Sequence, residues 1–286
     1  MITEFEGLPN EKEAIIPAAG KTCGCKHHIP VLESAAPSCK CKKLRTPRKI
    51  HAACGLWLTG FVVLHLGMSV SGLTPVLYQQ NVDRLNLVVN SIPGVTLFGI
   101  IIPLLLQGTT GLFLVQREGL KFYTGKCDRG GRVRFFLQRW TALVVLAFVA
   151  VHFSTMHDWG LHLLYRVTHW QTLARYAAGG IFQSGDAFAS TVRGFTSLIR
   201  AGSMAQGVNA VAMFLPLVGI WATAFHVANG AWSGSLLWKI FSTPQSKQLW
   251  RFTCIIFGIA LASAGSLAWY WFTLAPNALL ALAGKL

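Results

Sequence analysis

The sequence predicts an all-α membrane protein with five transmembrane helices, arranged as a four-helix bundle with a fifth helix. Three observations lead to this fold class. Apolar residues make up 53% of the 286 residues, and charged residues make up only 12%. The charges also lie in short blocks between long apolar runs. Because soluble domains typically contain about 25% charged residues, the composition argues against an ordinary soluble enzyme.

Five apolar runs are long enough to cross a membrane. A helix needs about 20 residues to span roughly 30 Å of hydrocarbon. Pro103 and Pro216 lie inside two of the runs, where neighbouring helices tolerate proline, so we expect kinks rather than breaks. The predicted spans are residues 50–72, 93–116, 136–157, 207–231 and 252–275.

These spans divide the chain into segments. Residues 1–48 form a predicted cytoplasmic arm rich in Cys and Lys, residues 49–275 form the five-helix bundle, and residues 276–286 form a short tail. The connection at 158–206 is long for a helical bundle. Its apolar residues recur at helical spacing, which predicts an interfacial helix lying on the extracytoplasmic side.

The distribution of Lys and Arg predicts the orientation. Basic residues are concentrated before span one and between spans two and three. By the positive-inside rule these segments are cytoplasmic, as is the N-terminus, in a multi-pass protein of the inner (cytoplasmic) membrane. The net charge of +15 is explained by membrane lipid or an acidic partner subunit, without nucleic acid. We expect Arg139 and the other basic residues of the second connection to dock such a partner or lipid.

Histidines inside the spans are the strongest functional signal, since buried polar residues in a membrane are costly. His65 and His152 each lie about 16 residues from the cytoplasmic start of their spans, or roughly 24 Å deep. His226 lies near the cytoplasmic face in span four, and Gln107 of span two is its counterpart in depth.

Two imidazoles at one depth on facing helices can supply both axial nitrogens of a haem iron. The alternative is a pair of histidines in interhelical hydrogen bonds. Burying both without a strong partner is costly, which favours the ligand pair.

Several short motifs resemble the cytochrome b membrane-anchor subunit of succinate:quinone oxidoreductases, of the single-chain, five-helix, two-haem type. The motif at 225–233 (FHVANGAWS) is the most specific of them, whereas residues 1–46 and 158–206 have no counterpart. The other matching positions are 48–51 (RKIH), His65 with Leu66, 138–141 (QRWT) leading to His152, and 242–244 (STP).

The resemblance implies a subunit that does not bind succinate itself. Its partners are a flavoprotein subunit and an iron–sulfur subunit on the cytoplasmic side, and it exchanges electrons with quinone in the membrane. The distal haem b ligands map onto His65 and His152. The proximal haem maps onto His226 and a position in span two, where the family has a histidine and this chain has Gln107.

Glutamine is a poor axial ligand compared with imidazole, so one haem b is expected and a second depends on what replaces the missing histidine. Three interpretations stay open. The inner haem is absent or bound on one side by His226, another residue replaces the ligand, or a different cofactor occupies this position.

The N-terminal arm offers candidates for another cofactor. Thiolate and imidazole side chains on the reducing cytoplasmic side are typical of a zinc or iron–sulfur site rather than of disulfides. A flexible arm without metal is the remaining alternative. The candidate metal ligands are Cys23, Cys25, His27, Cys39 and Cys41.

His51, at the start of span one, has two interpretations. It contacts a haem propionate or quinone oxygen near the cytoplasmic face, or it is an interfacial residue with neither role. Two principal function classes follow: an electron-transferring haem anchor, and a haem-poor anchor with a quinone pocket. A membrane cytochrome b of a formate- or hydrogen-linked complex is a third, weaker candidate.

Overall fold

A computed structural model describes most of the membrane part of the chain. The described residues are 39–120, 129–156, 158–169, 171, 182–200 and 210–275. Throughout these ranges the regular structure is helical, without strands. The principal helices are α1 (Cys39–Val70), α2 (Pro75–Ser91), α3 (Ile102–Glu118), α4 (Arg129–Met156), α5 (Asp158–Thr168), α6 (Ala187–Arg200), α7 (Ala210–Leu237) and α8 (Pro244–Thr273).

Five helical segments are long and apolar enough to cross a membrane, which confirms an all-α, multi-pass membrane protein with five candidate spans. The arrangement as a four-helix bundle with a fifth helix stays a prediction. They belong to α1, α3, α4, α7 and α8, and α3 is extended by a π-helical turn at Leu97–Ile101. The segments are Arg45–Leu73, Leu97–Glu118, Val133–Met156, Phe214–Leu237 and Pro244–Thr273.

The helix ends differ from the predicted span boundaries because hydropathy measures the apolar run and not the whole helix. The last span begins at Pro244, eight residues before the predicted 252. Proline suits the first turn of a helix, and the Thr243 side chain caps this turn by accepting the Ser246 N–H at 3.1 Å. At the start of α3, the π-helical turn directly precedes Pro103 in the first turn of the helix.

Helix α1 lies at the centre of the contacts, packing against α3, α7 and α8, while α4 packs mainly against α7. Small residues bring α7 and α8 together. A Cβ atom added at Gly258 would lie 2.9 Å from the Ala228 side chain, and one at Gly265 would collide with Ile220. Such close approach is the usual basis of helix association in membranes.

Large apolar side chains cover the outside of these helices. Leu64 is 75% exposed, Leu105 is 62% exposed and Ile256 is 68% exposed. An exposed apolar surface of this kind suits lipid rather than water.

A small aromatic core joins α2 and α6 to the end of α8. Tyr78 and Phe188 lie 5.3 and 5.6 Å from Phe272, measured between ring centroids. Gln79 links the same helices, because its side chain accepts the Ala187 N–H at 2.9 Å and donates to the Ser184 carbonyl at 2.8 Å. Burial raises the pKa of the Tyr78 hydroxyl.

The long connection after α4 contains two of these helices, α5 and α6. At Gly160 the chain turns so tightly that an added Cβ atom would collide with the backbone of Ser154. Leu161, next along α5, is fully buried. The position of α5 relative to a membrane surface stays a prediction.

Candidate functional site

His65 of α1 and His152 of α4 lie side by side, and we call them the outer pair. Their ring centroids are 6.0 Å apart and their planes meet at 74°. Each ring also stacks on an aromatic side chain four residues earlier in its own helix, Phe61 and Phe148 respectively, at 5.6 Å. Residues four apart share a helix face, so each helix supports its own imidazole.

Helix α7 packs against α4 beside the outer pair, at a glycine. A Cβ atom added at Gly219 would collide with the ring of Phe148. The absence of a side chain at Gly219 therefore lets Phe148 remain stacked against His152.

A second histidine pair lies at a different position along α1 from the outer pair. His51 of α1 and His226 of α7 have ring centroids 6.4 Å apart and planes at 87°. We call them the inner pair, following the predicted orientation. Depth counting paired His226 with Gln107 and left His51 near the membrane surface, whereas the structure also brings His51 beside His226.

The His226 ring is oriented by α4. Its Nδ1 lies 3.2 Å from the Gln138 carbonyl oxygen and 3.4 Å from the Thr141 hydroxyl. Because a carbonyl only accepts hydrogen bonds, Nδ1 carries the proton and Nε2 keeps its lone pair. The Gln138 side chain strengthens this contact by donating to the His226 carbonyl at 3.2 Å and accepting from Asn229 at 2.8 Å.

The His51 ring is oriented by α3. Its Nδ1 lies 3.2 Å from both the Gln107 carbonyl oxygen and the Thr110 hydroxyl. The Gln107 side chain donates from Nε2 to His51 Nε2 at 3.1 Å. The other end of that amide, Oε1, is buried without a hydrogen-bond partner, so Gln107 contacts the inner pair but is only half satisfied.

Both pairs suit a metal that already carries its own in-plane ligands. A metal–imidazole nitrogen bond is about 2 Å long and the ring centre lies about 1 Å further, so imidazoles on opposite sides of one metal have centres about 6 Å apart. In the described ranges no group of three or more His, Cys, Asp or Glu side chains could hold a metal alone. Haem iron commonly takes histidine as its ligand from the protein, so either pair of imidazoles fits this group.

The predicted metal ligands of the arm are not placed by the structure. Cys23, Cys25 and His27 lie outside the described residues. Cys39 and Cys41 lie in the first turns of α1, where the side chains are not described. The zinc, iron–sulfur and metal-free interpretations of the arm therefore stay predictions.

Arg139 is not a docking residue, so that expectation is wrong. Its side chain is only 8% exposed and forms an ion pair with Glu118 at 2.9 Å. Glu118 also pairs with Arg48 at 2.6 Å. The charge of Arg139 is paired within the protein, because Glu118, at the end of α3, lies between α1 and α4.

No family model and no solved structure matches this chain. It is similar to the succinate dehydrogenase cytochrome b558 subunit of Bacillus subtilis (strain 168), with 30% identity over 128 residues. The match covers 43% of this chain and 59% of the relative, so the chain spans about three fifths of the relative's length. This similarity supports the resemblance seen in the motifs.

Proposed function

We propose that this protein is the membrane anchor and electron-transfer subunit of a succinate:quinone oxidoreductase. In this proposal it carries electrons between an iron–sulfur subunit and membrane quinone through haem b held by His65 and His152. The observation that carries the proposal is the outer pair, two imidazoles from separate spans with ring centroids 6.0 Å apart. The similarity to a succinate dehydrogenase cytochrome b supplies the class of complex.

Bound haem b supplies a one-electron carrier inside the membrane. His65 and His152 hold it from two helices, and the stacked Phe61 and Phe148 restrict the rotation of the two imidazoles. The neutral imidazole is the form that binds iron. The protein thus contributes the position and the orientation of the two imidazoles.

The partners belong to the proposal as well. A flavoprotein subunit would oxidise succinate and an iron–sulfur subunit would pass the electrons to this chain, so no residue here needs to bind succinate. Both partners are placed on the side where α1 begins, because the basic segments lie there. Quinone and membrane lipid complete the set.

A haem-poor anchor with a quinone pocket is the second candidate, favoured by a specific cavity. An open, largely apolar cavity of about 360 Å³ lies between α1 and α3. One of its walls is Thr110, which lies 3.2 Å from His51 Nδ1, so a quinone head group there would lie close to an imidazole. The lining residues are Thr46, Pro47, Ile50, Thr109, Thr110 and Phe113.

Haem content separates the two candidates. The protein purified with its partner subunits is reduced with dithionite, and haem b is counted as the pyridine haemochrome. His65→Ala and His152→Ala should each remove the same haem. His162→Ala, which changes an exposed histidine of α5, should leave the count unchanged. A wild-type preparation without haem would overturn the proposal in favour of the haem-poor anchor.

A further inference from the structure

We infer that His51 and His226 are the axial ligands of a second haem b, so that α1 supplies one ligand to each of two haems. This inference rests on the proposed function, since it extends the same electron path towards the side where α1 begins. It selects one of the three interpretations of the inner position, in which another residue replaces the ligand missing at Gln107.

The inner pair repeats the geometry of the outer pair. The ring centroids of His51 and His226 are 6.4 Å apart, compared with 6.0 Å for His65 and His152. The ring planes meet at 87° and 74° respectively. In both pairs the two imidazoles come from different spans, and both separations match two imidazoles on opposite sides of one metal, about 6 Å.

The hydrogen bonds of the inner pair leave the ligating nitrogens in the correct form. Both rings place Nδ1 3.2 Å from a backbone carbonyl oxygen, that of Gln107 for His51 and that of Gln138 for His226. Metal-bound histidines usually donate their other ring N–H to a carbonyl or carboxylate in this way. Each Nε2 therefore carries the lone pair that a metal requires.

Gln107 covers the Nε2 atom of His51, the atom that would bind iron, but only through a weak contact. Its amide donates one neutral hydrogen bond of 3.1 Å to His51 Nε2, while its Oε1 stays buried and unpaired. An unpaired buried oxygen is unfavourable, so this amide gains little from staying in place. Rotation of the side chain frees Nε2, and Gln107 is then a neighbour of the haem and not its ligand.

The register of α1 and α4 allows one site at each level. His51 and His65 are 14 residues apart, close to four helical turns, so they share one face of α1 and lie about 21 Å apart along it. Gln138, which orients His226, and His152 are also 14 residues apart, on α4. The two histidine pairs therefore lie at two separate positions along α1, the outer pair against α4 and the inner pair against α7.

Two glycines keep the inner level open. A Cβ atom at Gly111 would lie 3.1 Å from His51 Cε1, and one at Gly55 would lie 3.2 Å from Gln107 Nε2. Both distances are tighter than ordinary contact, so any side chain here would press on His51 or on Gln107. The absence of side chains at these positions leaves room for the His51 ring and for rotation of the Gln107 side chain.

The test counts haem in single-residue variants of the full chain purified with its partner subunits. Wild type should contain two haems b per chain. His51→Ala and His226→Ala should each halve the pyridine haemochrome, and the haem that remains should be the one that His65→Ala removes. That remaining haem also shows that the variant has folded. Gln107→Ala removes the competing amide and should keep both haems, and His162→Ala, on α5, is the control that should leave the count unchanged.

A conservative variant distinguishes ligation from support. His51→Met should keep two haems but raise the midpoint potential of the inner one, because a Met/His ligand pair raises the potential of haem iron. A residue that only supported the site would leave the potential of a retained haem near its wild-type value. Redox titration monitored by absorbance and by the low-spin electron paramagnetic resonance signal gives this readout.

Different results overturn the inference and the proposed function. One haem in wild type, insensitive to His51→Ala, would overturn the inference and leave the proposed function intact. Loss of the inner haem in Gln107→Ala or His226→Ala but not in His51→Ala would also overturn it. No haem in wild type would overturn the proposed function itself.

Discussion

Replacing Glu118 with glutamine removes the only carboxylate that pairs with the buried guanidinium of Arg139 in the described contacts. Arg139 is 7% exposed, and its other hydrogen bonds go to the carbonyl oxygens of Glu118 and Gly119. Breaking a buried ion pair from one side typically costs about 3–5 kcal/mol. Because the carbonyl oxygens remain, and the guanidinium still lies 3.7 Å from the centre of the Phe135 ring, we expect a loss of about 3 kcal/mol.

Arg48→Gln is the matched control, since it breaks the other ion pair of the same carboxylate. The Arg48 side chain is 48% exposed, and an exposed pair contributes about 0–1 kcal/mol. A loss of 1 kcal/mol lowers the melting temperature of a chain this size by roughly 2–4 °C. Thermal unfolding in detergent should therefore show a fall of roughly 6–12 °C for Glu118→Gln and at most roughly 4 °C for Arg48→Gln. Equal shifts for the two variants would refute the claim that burial decides the contribution of each pair.

Three further predictions concern the packing around the sites. Gly219→Ala should lower occupancy of the outer haem, counted as pyridine haemochrome, because the new methyl collides with the ring stacked on the outer imidazole; Gly60→Ala, with nothing within 4 Å, should not. Phe272→Ala should destabilise the protein by about 3–5 kcal/mol, measured by denaturant or thermal unfolding, and an unchanged stability would mean that the aromatic core contributes little. Gln138→Ala should shift the absorption of the inner haem, since it removes two side-chain hydrogen bonds that join α4 to α7 around His226; an unchanged spectrum would mean that Gln138 orients His226 through its backbone alone.

Much of the membrane fold follows from the amino-acid sequence because every span must be an apolar helix long enough to cross the bilayer. Helix α2 was not predicted, since Asn, Asp, Gln and Arg interrupt its apolar residues. Its burial depends on contacts with α6 and, through Tyr78 and Phe272, with α8. The burial of Arg139 was also not predicted, because a basic residue beside a polar connection is usually solvated. Its partner Glu118 lies on another helix, so only the folded chain shows the pair.

The histidine pairs, too, could be predicted only in part from the sequence. His65 and His152 could be paired by counting residues because both spans begin on the same predicted side. His51 was expected near the cytoplasmic face, as a contact to a propionate or quinone or as an interfacial residue, because depth was counted only from the end of the apolar run, although α1 begins earlier, at Cys39. The 14-residue spacing between His51 and His65 was the signal that could have placed both on one helix face.

The most direct test of the central claim is the absorbance of haem b in the purified complex after succinate is added, followed by oxidised quinone. We expect succinate to reduce the haem and quinone to reoxidise it, and His65→Ala to abolish the response of the outer haem. A haem that dithionite reduces but succinate leaves oxidised would contradict the claim that this chain carries electrons between succinate oxidation and quinone.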